Sequence, residues 1–107
     1  MSKKNRPEYI TIGPLVFSVK YRSVASCAGH MKYSPKLLIT IDTDYDPQYQ
    51  LQTLMHEIQH RIFDSTGDTE HNTNEGFVQR LASMWLDTLL SSPGLLEYLI
   101  EARKELE

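Results

Sequence analysis

Apolar and polar residues alternate from Tyr9 to Tyr21, in Y-I-T-I and then L-V-F-S-V-K-Y, with the turn signal Gly13-Pro14 between the two runs. Alternation with period two puts Leu15, Phe17 and Val19 on one side of an extended chain and Val16, Ser18 and Lys20 on the other. That is the pattern of strands with one buried face. Residues 22–35 hold Gly29, Ser34 and Pro35, follow no period and read as irregular. K-L-L-I-T-I-D restores the alternation, with Leu37, Ile39 and Ile41 on one face and Thr40 and Asp42 on the other.

At T-D-Y-D-P the period changes. Asp46 suits a helix N-cap and Pro47 the first helical position, which predicts a helix from about Pro47 to about Ser65. Leu51, Leu54, Met55, Ile58 and Ile62 recur at helical spacing as its buried face, and Gly67 is its terminator. D-T-E-H-N-T reads as a polar connection. A second helix is predicted from about Thr73 to about Leu90, with Val78, Leu81, Ala82, Trp85 and Leu89 as its apolar stripe. S-S-P-G breaks that helix and caps a third, L-L-E-Y-L-I-E-A-R-K-E-L, whose Leu95, Leu96, Leu99 and Ile100 are expected to close the core. Strands first and helices afterwards predict an α+β fold: a small antiparallel sheet of about three strands followed by three helices. Residues 1–8 are polar and expected to be a flexible N-terminus, leaving 9–107 as a single domain.

Composition narrows the function classes. A chain of 107 residues has room for one modest core. The formal net charge of −3 argues against a nucleic-acid or anionic-membrane partner, since such binders carry a basic face. Cys27 is the only cysteine, so neither an intrachain disulfide nor a cysteine-based zinc cluster can form. M-S-K-K-N-R-P-E-Y-I has no apolar run behind its charges, unlike a secretory signal, and no segment approaches the ~20 apolar residues of a membrane span. The expected location is the cytoplasm.

The chemistry concentrates in T-L-M-H-E-I-Q-H-R-I-F, Thr53 to Phe63. Side chains at i and i+4 of a helix point the same way, so His56 and His60 present two imidazoles to one point. Zn²⁺ takes neutral imidazole nitrogens at about 2.0–2.1 Å. Glu57 is rotated by about 100° from His56, close to the ion but directed at its open position, where a general base for hydrolysis belongs. Two histidines need a third protein ligand. Glu75 leads as the third ligand, in the first turn of the second helix and in phase with its inner face, while His71 and Glu70 are the alternatives. Asn72 followed by Glu75 also has the form of a capping box.

T-L-M-H-E-I-Q-H-R-I resembles the HExxH helix of zincin metallopeptidases, and N-E-G-F-V-Q-R-L-A is similar to the glutamate-bearing helix of the glutamate-zincins (gluzincins). The order of elements from Tyr9 to Ile100 resembles the minimal zincin-like metallopeptidases of phages and mobile elements, near the ImmA/IrrE-like group. The resemblance implies one Zn²⁺ per chain held by His56, His60 and Glu75, with Glu57 as general base, and a protein or peptide substrate lying along the Lys36–Asp42 strand by β-augmentation. The chain departs from the family at Arg61, where zincins usually carry an uncharged residue, and in a short interval between His60 and Glu75. Candidate oxyanion donors are His71, Tyr45, Tyr49, Tyr33 and His30. Two functions follow as expectations: a zinc-dependent peptidase, or a catalytically inactive zinc-stabilised domain that binds a partner protein.

Overall fold

The computed structural model describes residues 6–23, 29–32 and 37–107, the segment 29–32 by its backbone. Cys27, Tyr33 and Lys36, singled out above, lie outside the described residues. The fold is α+β, with strands first and helices after them. The described strands are β1 (Tyr9–Ile12), β2 (Leu15–Arg22), β3 (Gly29–Lys32) and β4 (Leu38–Asp42). The helices are α1 (Pro47–Ser65), the short α2 (Thr69–Asn72), α3 (Glu75–Ser91) and α4 (Pro93–Leu106).

β1 and β2 form a hairpin in which Ile12 pairs with Leu15 across Gly13-Pro14. Gly13 adopts φ 59°, a conformation that lets a two-residue loop follow the twist of its strands. The sheet order is β1-β2-β4-β3. β2 and β4 are parallel, with Val19 beside Ile39 and Tyr21 beside Ile41, while β3 closes antiparallel on the far side of β4. The expected three-stranded antiparallel sheet is therefore a four-stranded mixed one. The extra strand, G-H-M-K, carries no alternating signature of its own; it is recruited by the open edge of β4.

α1 packs between the sheet on one side and α3 on the other. On the sheet side Leu54 meets Ile12, Phe17, Val19, Ile39 and Ile41 in the main core; a fully buried side chain of this kind contributes about 1.5–3 kcal/mol. On the other side Val78 and Ala82 of α3 are buried. Because both flanks of α1 are covered, its burial is not confined to the predicted apolar stripe. Gln50, Gln59 and Arg61 are buried, whereas Ile62 is 40% exposed. Arg61 reaches over the Phe17 ring, 5.0 Å from its centroid, and pairs with Asp64. The charge at this position is thus a packing element under the sheet, away from the histidine face.

α4 does not close the core as expected. It contains no buried residue, contacts α3 alone among the described elements, and leaves Leu95, Leu96, Leu99 and Ile100 between 37% and 47% exposed. The core between sheet and α1 is already filled before the chain reaches it. Among the described residues no helix is long and apolar enough to cross a membrane.

Candidate metal centre

α1 begins as its sequence dictates. Asp46 is the N-cap, its carboxylate accepting from the Tyr49 backbone N–H at 2.9 Å, and Pro47 occupies the first turn. The helix ends at Thr66 with Gly67 at φ 75°, turning the chain into α2. There Asp68 caps the helix by accepting from the His71 N–H. Asn74 then caps α3, accepting from the Phe77 N–H at 3.0 Å. This sharp double reversal carries Glu75 from the end of one connection to the first residue of a helix that lies against α1.

The result brings three side chains together. His56 Nε2 stands 3.2 Å from His60 Nε2 and 3.2 Å from Glu75 Oε2, and His60 Nε2 stands 2.7 Å from Glu75 Oε1. The two imidazoles meet edge to face, with ring centroids 4.8 Å apart. Tetrahedral coordination at 2.0–2.1 Å spaces ligand atoms by about 3.3 Å. The separation of the two histidine nitrogens has that value, and Glu75 meets the two rings with different oxygens, Oε2 toward His56 and Oε1 toward His60. His56, His60 and Glu75 form a group able to hold a metal ion.

The far nitrogens of both rings are also engaged. His56 Nδ1–H donates to Gln79 Oε1 at 2.7 Å, and His60 Nδ1–H donates to Asn72 Oδ1 at 2.8 Å. An imidazole whose proton sits on Nδ1 offers a bare lone pair at Nε2. Two such lone pairs and a carboxylate converging within 3.2 Å repel one another unless a proton or a metal cation lies among them. The donor set therefore fits a divalent ion, with back-side hydrogen bonds of the kind that orient histidine ligands.

Glu57 lines the same cleft, which encloses about 310 Å³ between Tyr49, Gln52, Thr53, His56, Glu57, Glu75 and Gln79. Burial pushes the Glu57 carboxyl above its ordinary value; His56 and His60 oppose that rise and the Glu75 carboxylate reinforces it. Among the described residues the cleft holds this single carboxylate beside the ligand triangle without belonging to it.

The other candidates fall elsewhere. His71 donates Nδ1–H to Asp68 Oδ2 at 2.6 Å and stacks on Phe77, centroids 4.9 Å apart, so its ring serves the α2 connection. Glu70 lies on α2, outside the triangle. Tyr49 lines the cleft and its ring packs against Tyr45, centroids 4.7 Å apart. Asn72 does not cap α3; its side chain is turned to His60, and Asn74 caps the helix instead. Comparison with known proteins leaves the site to speak for itself. No protein-family profile, curated protein or solved structure matches the chain.

Reading residues singly missed four members of the site: Gln52, Asn72 as a histidine partner, Gln79 and Ser83. A signal existed. Gln52 precedes His56 by one turn, and Glu75, Gln79 and Ser83 recur four apart, so each set lies on one helical stripe.

Proposed function

We propose that this protein is a zinc-dependent peptidase in which His56, His60 and Glu75 hold one Zn²⁺ and Glu57 is the general base. The observation that carries the reading is the convergence of the His56 and His60 Nε2 atoms and the Glu75 carboxylate while both Nδ1 protons are held by carboxamide oxygens. A bound Zn²⁺ supplies Lewis acidity, acidifying water and polarising a peptide carbonyl. Glu57 accepts a proton as the water oxygen attacks that carbonyl carbon, then returns it to the amine nitrogen as the C–N bond breaks. Desolvation makes its carboxylate a better proton acceptor than an exposed one.

β4 (Leu38–Asp42), in the strand expected to take the substrate, has neighbours on both sides and so offers no free edge for β-augmentation. The sheet edges are β1 and β3; both touch α1, and β3 is the one beside β4. An extended peptide pairing with β3 would lengthen the sheet on the β4 side.

The open cleft favours one further reading, a zinc-stabilised module that binds a partner protein without cutting it. Glu75 is 68% exposed, and the cleft lining is small and largely polar. One pair of variants separates the readings. Glu75→Ala is expected to lose zinc, measured by elemental analysis of protein purified with stoichiometric zinc. Glu57→Gln is expected to keep zinc and lose cleavage of a peptide library; cleavage retained in that variant would rule out the proposed base.

A further inference from the structure

α1 and α3 face each other through two stripes. Gln52, His56 and His60 succeed one another along α1, and Glu75, Gln79 and Ser83 along α3. Beside the buried Val78 and Ala82, this edge of the helix pair is polar, and its hydrogen bonds form one connected chain. His56 Nδ1–H donates to Gln79 Oε1 at 2.7 Å. The other end of that carboxamide, Gln79 Nε2, donates to Ser83 Oγ at 3.3 Å. Ser83 Oγ also accepts from Gln52 Nε2 at 3.0 Å, which returns the chain to α1 one turn before His56. His60 has a separate tether, Asn72 Oδ1 at 2.8 Å.

We propose that Gln79 and Asn72 are positioning residues that hold His56 and His60 as Nδ1–H tautomers, and that Ser83, held by Gln52, supports Gln79 by accepting from its N–H₂ end. The inference rests on the metal reading above and assigns the residues that make that site competent. A carboxamide has two unlike ends. With oxygen toward the ring it draws the proton to Nδ1 and leaves Nε2 free for a cation. Turned by half a rotation it presents N–H instead, the imidazole proton moves to Nε2, and that nitrogen is closed to metal. Ser83 Oγ accepts from the Gln79 N–H₂ end, so that end has a partner while the oxygen faces His56. Both tethers are neutral, so Glu75 is the one anionic group in contact with the two imidazoles among the described residues. Carboxylates in the tethering places would make the ligands more basic; with carboxamides there a bound ion would keep more of its charge for the substrate.

The test uses full-length protein. Zn²⁺ affinity is measured by competition with a chromophoric chelator, and imidazole tautomers are read by ¹H–¹⁵N correlation spectra of metal-free protein above pH 8. Wild type is expected to show both histidines as Nδ1–H. Gln79→Met, which keeps the shape without the acceptor, is expected to shift His56 toward Nε2–H and weaken zinc binding about 10–100-fold. Ser83→Ala, two bonds further out, is expected to do the same more weakly, and Gln79→Glu, which keeps an acceptor, to restore the tautomer and bind zinc at least as tightly as wild type. Asn72→Ala reports the same relationship for His60 should Gln79→Met fold poorly. Zinc binding of wild-type strength in Gln79→Met and Asn72→Ala, or an Nε2–H His56 in wild type, overturns the inference and leaves the metal site standing. Wild type that takes up no zinc overturns both.

Discussion

Glu75 Oε2 lies 3.2 Å from His56 Nε2 although 19 positions separate the two residues. Nothing local brings them together. The contact exists because Val78 and Ala82, the next inward positions on α3, are buried against α1, and because the α2 connection is just long enough to reverse the chain. Hydrophobic packing of two helices thus sets the separation of three polar atoms, and a carboxylate that is largely exposed is held at the histidines by residues one turn away.

Metal binding should be visible as stability. A ligand that binds the folded chain alone adds about 4 kcal/mol at a thousandfold excess over Kd, and a domain of this size gains roughly 4–8 °C per kcal/mol. Saturating zinc is therefore expected to raise Tm by on the order of 15 °C or more, and EDTA to remove the gain. Glu75→Ala should lose most of it. Equal zinc-induced shifts in wild type and Glu75→Ala, followed by circular dichroism, would place the ion elsewhere.

Gly67 is the hinge of the reversal that delivers Glu75. Its φ of 75° lies in the left-handed region, and a Cβ there would meet nothing within 4 Å. The whole cost of a side chain is then in the backbone. Gly67→Ala is expected to destabilise by about 1–2 kcal/mol, and Gly67→Asn by less, because asparagine tolerates this region. Urea titrations giving equal losses for the two variants would mean that the turn is not held at positive φ.

The parts of this fold legible in the sequence are those with a local cause. Asp46-Pro47 and Gly67 bracket α1 in the chain as they do in the structure, and the alternation in β2 and β4 names Phe17, Val19, Ile39 and Ile41 as core. What was not legible depends on neighbours distant in sequence. β3 is a strand because β4 offers it an edge. Trp85 looks like core on its own helix, yet is 53% exposed. Asn72 has the spacing of a cap but is claimed by His60. At the site the histidine pair follows from helical spacing alone, whereas the tethering carboxamides become meaningful only once the two helices are laid side by side.

Arg61 is expected to matter for the fold and not for the ion. Its side chain is 4% exposed, while its partner Asp64 is 50% exposed, and its guanidinium covers Phe17. Arg61→Ala removes packing beneath the sheet and should cost roughly 2–4 kcal/mol. Asp64→Asn, at a half-exposed site, should cost under about 1 kcal/mol. Both variants should retain the zinc content of wild type. Loss of zinc in a folded Arg61→Ala protein would contradict the separation of the two faces of α1.

The Asp68–His71 pair gives the connection a pH dependence whose sign can be worked out. Hydrogen bonding to Asp68, aided by its charge, raises the His71 pKa above its ordinary 6.5, so the stability this contributes is complete below 6.5 and is lost as pH rises through the higher folded value. Hydrogen bonding to His71 lowers the Asp68 pKa below 3.8, so its share is complete above 3.8 and is lost as pH falls through the lower folded value. The pair is at full strength between those two ordinary values. Asp68→Asn retains a side-chain oxygen for the α2 cap and removes the charge. The difference in urea midpoint between wild type and Asp68→Asn, measured with EDTA present to exclude metal linkage, is expected to be largest in that window and to shrink toward about pH 9 as His71 deprotonates. A difference that stays constant from the window up to about pH 9 would show that Asp68 acts through capping alone and that His71 is uncharged in the fold.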